Sequence, residues 1–161
     1  MLAQGLQQAA GFLQANDYQQ ALDALTAIES SGAESADFWQ LLALAHKGLG
    51  QLKKAEDSYL KSVQLLPQPH VLTNLANFYR QQRRHEEAET RYQQALALDS
   101  SHLPARVNYG QLLLEIEQFE ASAWQFSAAL EHKPEHLNAR IGLAQASQQL
   151  GDQERALTLF R

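Results

Sequence analysis

The chain has 161 residues, 45% hydrophobic and 19% charged, with a formal net charge of −5 and no cysteine. That balance is globular rather than disordered, and it excludes disulfides and thiolate metal sites. It argues against nucleic acid as the main partner, because phosphate binding needs clustered Lys and Arg.

The opening stretch, MLAQGLQQAAGFLQA, has no basic segment and no continuous apolar run, so it does not read as a signal peptide. No apolar run approaches the roughly 20 residues that span a bilayer. A cytoplasmic protein without a membrane partner is the expectation. Further on, LGQLKKAEDSY (residues 49–59) returns as LGDQERALTLF (residues 150–160). Intermediate copies fill the gap. Small residues recur at Ala21, Ala55, Ala88, Ser122 and Ala156, at steps of 34, 33, 34 and 34. Four residues after each stands Leu25, Tyr59, Tyr92, Phe126 or Phe160. This places units at about 2–35, 36–68, 69–102, 103–136 and a truncated 137–161. The one short step falls at LPQPH, where the connection has lost a residue.

Each unit reads as two helices, since apolar residues recur at steps of three and four. In unit one Ala9, Phe12, Tyr18, Ala21 and Leu25 fit, but Gly5 and Gln8 depart, so a loosely packed first helix is expected. Unit two opens with FWQLLALAHKGLG, and Gly50 marks a left-handed helix end. His46 is expected to pack where unit three has Tyr79. In unit three RQQRRHEEAE sets Arg80, Arg83 and Arg84 beside Glu86, Glu87 and Glu89, a self-compensating solvated turn. Pro104 begins the first helix of unit four, where its missing N–H costs little. Trp124 fits its helix poorly and is expected to meet either the next helix or a part beyond the chain. His132 and His136 in HKPEH have a spacing seen in zinc sites, but Pro134 interrupts the helix and no third ligand is evident. Gly151 repeats the role of Gly50. Pro67, Pro69 and Pro134 are placed between units. Ala43, Ala76, Gly110 and Ala144 mark where first helices cross their partners closely, because only short side chains allow that approach. One such hairpin cannot bury its apolar stripe alone, so neighbours must stack.

Unit two carries Trp39, Leu42, Ala43, Ala55, Tyr59 and Pro67, and unit four carries Tyr109, Gly110, Phe126 and Pro134 in the same frame. Unit three adds Leu75, Ala76, Tyr79, Ala88 and Tyr92. These spacings resemble the tetratricopeptide repeat signature. The resemblance implies an all-α, right-handed α-solenoid of about four and a half repeats. It also implies a concave face, lined by the first helix of each pair, that holds an extended peptide or a partner helix.

In that register the groove receives Asn74, Asn77 and Arg80 from unit three and Asn108, Gln111 and Leu114 from unit four. Unit two offers Leu41, Leu44 and Lys47, and unit five offers Gly142, Gln145 and Gln148. A primary amide both donates and accepts, so amides one repeat apart can bond an extended backbone without reading its sequence. Asn74 and Asn108 resemble two rungs of the asparagine ladder of O-linked N-acetylglucosamine transferases, which Leu41 and Gly142 interrupt. Asn77, Arg80 and Lys47 resemble part of a carboxylate clamp whose full set is not met. Soluble filler on a polar face remains the competing reading.

No dinucleotide fingerprint, P-loop or nucleophile elbow appears. No cofactor, metal or catalytic residue is expected, and a protein or peptide is the expected partner. The chain stops at Arg161, part-way through an expected helix. Read as the N-terminal segment of a longer bacterial protein, it presents two choices. It is a recruiting scaffold, or it is the substrate-presenting arm of a glycosyltransferase-, sulfotransferase- or oxygenase-type domain beyond that point. The apolar surface of the last unit would then meet that domain or a second copy of the chain.

Overall fold

The computed structural model describes residues 1–152, and every regular element among them is a helix. In order these are α1 (Leu2–Gln14), α2 (Tyr18–Thr26), α3 (Glu29–Gly32), α4 (Ala36–Gly48) and α5 (Leu52–Leu65). Then come α6 (Pro69–Gln81), α7 (His85–Leu98), α8 (Leu103–Glu115), α9 (Phe119–His132) and α10 (Leu137–Gln149). The packing divides into two units, Met1–Val71 and Leu72–Arg161.

In the first unit α1 packs on α2 and α4, and α4 on α5. Its core holds Ala9, Ala21, Leu25, Phe38, Leu42 and Ala45. In the second, α8 packs on α7, α9 and α10, around Val107, Phe126, Ala129, Ala139 and Leu143.

The residues at the close crossings are buried as their size requires. Ala21, Ala43, Ala55, Ala76, Ala88 and Ser122 are all fully buried. Between α8 and α9 the Ser122 hydroxyl donates to the Gly110 carbonyl at 2.8 Å, so the small side chain also satisfies a polar group at the contact. Leu25, Tyr59, Tyr92 and Phe126 are likewise fully buried, each adding roughly 1.5–3 kcal/mol by burial. Phe126 enters between α8 and α10. A Cβ built on Gly142 would lie 2.2 Å from its ring, and one on Gly110 2.9 Å. Gly142 is therefore a buried packing residue, and the place expected for it in the groove is corrected. Ala156 and Phe160 lie outside the described residues.

At the end of each first helix one turn recurs. Asp17, Gln51, Arg84, Gln118 and Asp152 each donate their backbone N–H to the carbonyl five residues back. The residue before each has a positive φ: Asn16, Gly50, Arg83, Glu117 and Gly151. This six-to-one bond with a left-handed residue is a Schellman closure, which satisfies carbonyls left open by the helix end. The two glycines carry it without strain. Asn16, Arg83 and Glu117 do so at a cost of roughly 1 kcal/mol each.

Several local expectations are corrected. Pro69 is the first residue of α6, where a missing N–H is harmless, rather than part of the connection. The linker before α6 is residues 66–68, one residue shorter than 99–102 and 133–136, in keeping with the short step. The second helix of the first pair breaks at Ala27–Ile28 and resumes as α3. Gly5 is not a loose point: its missing Cβ makes room for Ile28, whose side chain would stand 2.8 Å from it. His46 is buried, and so is Tyr79. Trp124 is 61% exposed, and the Arg106 guanidinium lies over its ring at 5.2 Å. Its ring therefore meets the preceding helix, α8, a contact that the sequence did not suggest.

Candidate functional site

The second unit presents the first helices α6 and α8, followed by α10. Arg80 on α6 reaches Glu115, the last residue of α8. Its Nε donates to Oε2 at 2.9 Å and its Nη2 to Oε1, a two-pronged pair. The hydrogen bond from Arg80 holds the Glu115 carboxyl below the usual carboxylate range against the opposing effect of burial. Arg80 is raised in return. Of the arginines in the RQQRR run, Arg84 pairs locally with Glu87 at 2.8 Å. Arg80 ties two helix pairs together, so the turn is not closed on itself.

Behind this pair stand two phenols. The Tyr92 hydroxyl on α7 donates to Asn77 Oδ1 on α6, and burial pushes its pKa up to about 12. The Tyr109 hydroxyl on α8 donates to Glu89 at 2.7 Å and accepts from Gln93 at 3.0 Å. Burial first, and the Glu89 bond second, push it up to about 12. The two rings stack at 5.7 Å. Both phenols are neutral donors at physiological pH, and they hold α6, α7 and α8 in register.

Between α8 and α10 lies a depression of about 500 Å³. Gln111, Gln145, Gln148 and Gln149 supply amides to it, Leu114 and Phe119 supply apolar surface, and Glu115 and Glu117 supply carboxylates. Gln111 and Gln145 are 34 residues apart, as are Leu114 and Gln148, so each pair occupies equivalent turns of α8 and α10. A second depression, of about 390 Å³, lies in the first unit and is lined by Gly5, Gln8, Phe12, Gln20, Asp23, Ala24, Ala27 and Ile28.

Of the sequence candidates, Gln111, Gln145, Leu114 and Gln148 meet at one place. Asn74 and Asn108 are half-buried on α6 and α8 and line neither depression. Asn77 and Arg80 are engaged within the protein. Lys47 is half-buried on α4 in the first unit, where burial lowers its pKa. Sequence reasoning missed Glu115, Glu117, Phe119 and Gln149. The repeat offset held the signal: Gln149 stands 34 residues after Glu115, and Glu117 occupies the turn position of Gly50 and Gly151.

Arg106 was also missed. Nearly buried at 9% exposure, it donates from Nε to the Ser100 carbonyl at 2.7 Å and from Nη1 to Gln125 at 3.0 Å. His136 accepts from the Ala139 N–H at 3.2 Å and caps α10. Among the described residues no group of acidic or histidine side chains could hold a metal ion, and no helix is long and apolar enough to cross a membrane.

Models of the tetratricopeptide repeat match residues 6–68 and 110–161, and a second such model matches residues 71–103. The chain belongs to the tetratricopeptide repeat family, a class of helical repeat modules that generally serve protein–protein interaction. Among solved structures it is similar to the MamA protein, at TM-score 0.83 and 16% identity over 98% of this chain and 87% of that one. A tetratricopeptide repeat protein from Parabacteroides merdae ATCC 43184 superposes at TM-score 0.83, with 20% identity over 98% of this chain and 63% of that one. YrrB, described as having an unusual peptide-binding site, superposes at TM-score 0.75 with 18% identity over 94% and 78%. At these identities the likeness is one of fold. No curated protein matches the chain by sequence.

Proposed function

We propose that the chain captures an extended segment of a partner protein against the first helices of its second unit. One observation carries this reading: Gln111 and Gln145, one repeat apart, line a single depression beside the apolar Leu114 and Phe119. Amides at that spacing can accept from and donate to a peptide backbone, while the apolar surface takes a side chain. Asn74 and Asn108 extend the polar row along α6 and α8. Asn77 and Arg80 hold its wall and offer their remaining donors. On the first unit the same reading gives Lys47 a contact at the place that Leu114 and Gln148 hold on α8 and α10.

The test begins with peptides selected on the protein from a random display library. The best is then titrated against the Gln111→Ala/Gln145→Ala and Asn74→Ala/Asn108→Ala double variants. Each should weaken binding by about tenfold or more while the melting temperature moves little, because amides at the surface, half-buried or exposed, add little to folding. Undiminished affinity in the glutamine variant would remove the proposal.

A further inference from the structure

The geometry points to the charge of the bound segment. We infer that the depression between α8 and α10 selects a segment carrying lysine or arginine, with its cation beside Glu117 and its aliphatic stem against Leu114 and Phe119. This rests on the peptide-binding reading and adds a ligand chemistry to it.

Three features set the sign. First, α8 ends at Glu115 and α10 at Gln149, and both residues line the depression. The negative ends of two helix dipoles therefore meet there. Second, of its two carboxylates Glu115 is covered by the two-pronged bond from Arg80, which does not line the depression. Glu117 remains exposed. Among the described residues no lysine or arginine lines the depression to offset it. Third, Glu117 sits at φ 61°, in a left-handed turn that Gly50 and Gly151 make without strain. Asn16 and Arg83 share that conformation, but of the five turn residues only Glu117 lines this depression. A carboxylate is thus held, at a conformational cost, where two helix ends already favour a cation. Lysine and arginine suit the apolar part as well, because their stems lie along apolar surface while the charge stays in water.

The probes are three capped peptides of one extended sequence. They share a leucine and differ only two residues away, where they carry Lys, Ser or Glu. Fluorescence anisotropy at low salt should rank them Lys, Ser, Glu. The Lys peptide should bind about fivefold tighter than the Ser peptide, as for an exposed ion pair. The preference should shrink at about 0.5 M sodium chloride. In Glu117→Gln, which keeps the turn and the two helix ends, the preference for Lys over Ser should fall to about twofold or less. Equal affinities for all three, a preference for Glu, or a Lys preference that Glu117→Gln leaves undiminished overturns the inference alone. Absence of binding by every peptide at about 1 mM overturns the peptide-binding reading with it.

Discussion

Hairpin α4–α5 of the first unit and hairpin α8–α9 of the second have helices of 13 and 14 residues each. Side chain by side chain they differ at most buried places. Ala43 faces the crossing in one and Gly110 in the other. His46 in one corresponds to Leu113 in the other, and Tyr59 to Phe126. Trp39 and Arg106 hold the same place, and their bonds match. Trp39 Nε1 donates to the Ala33 carbonyl, six residues back, at 2.8 Å. Arg106 Nε donates to the Ser100 carbonyl, also six residues back, at 2.7 Å. Each is also half of a cation–π pair, with the roles exchanged. Lys61 Nζ lies 4.4 Å from the Trp39 ring, and the Arg106 guanidinium lies 5.2 Å from the Trp124 ring. In these two hairpins a flat group with an N–H aimed backwards fills the place, as an indole in one and a guanidinium in the other, whereas α6 carries the buried Leu72 there.

The comparison is broken most sharply at Arg106. Arg106→Ala removes two hydrogen bonds and leaves the buried Gln125 side chain without that donor. The expected cost is about 1.5–3 kcal/mol in chemical denaturation. Arg106→Lys keeps the charge but not the planar fork, and should recover little of it. Full recovery by lysine would mean that charge, not shape, fills the place.

A smaller effect separates the two turns. Glu117→Gly should stabilise the second unit by about 0.5–1 kcal/mol by relieving left-handed strain. Gly50→Glu should destabilise the first by a similar amount. If both exchanges are neutral in denaturant midpoint, the left-handed turn carries no cost here.

The smallest effect is in pH. Burial is the main cause lowering the His46 pKa below 6.5, against a hydrogen bond with Gln51 that raises it. The folded state therefore binds this proton less readily than the unfolded one. The stability is fully present above 6.5 and is lost as pH falls from there through the lowered folded value. His46→Phe, which imitates the aromatic Tyr79 of the next pair, should flatten the melting temperature between about pH 7 and pH 5. An unchanged slope would assign it to other groups.

Much of this was legible beforehand because size and period are properties of the sequence. Ala21, Ala55, Ala88 and Ser122 declared the crossings by being small at a constant step, and Leu25, Tyr59, Tyr92 and Phe126 declared the filling by being large four residues later. The turns were half legible. Gly50 and Gly151 announce a left-handed residue, whereas Asn16, Arg83 and Glu117 adopt it only because the closure around them compels it. The candidate site was less legible still. Asn77 and Arg80 look like open groove side chains in the sequence, yet Tyr92 and Glu115 occupy them. Gly142 looks like a gap in a polar row, yet it is where Phe126 is seated.

What the amino-acid order determined alone was the helix pairs, their spacing and the places where backbones approach, since these follow from local periodicity and from side-chain volume. Tertiary structure decided which polar groups are already engaged and which remain for a ligand. Arg80 meets Glu115 across 35 residues, and Tyr92 meets Asn77 across 15. Pairings of that kind depend on how one helix rotates against the next, a quantity that the periodicity of a single helix does not contain.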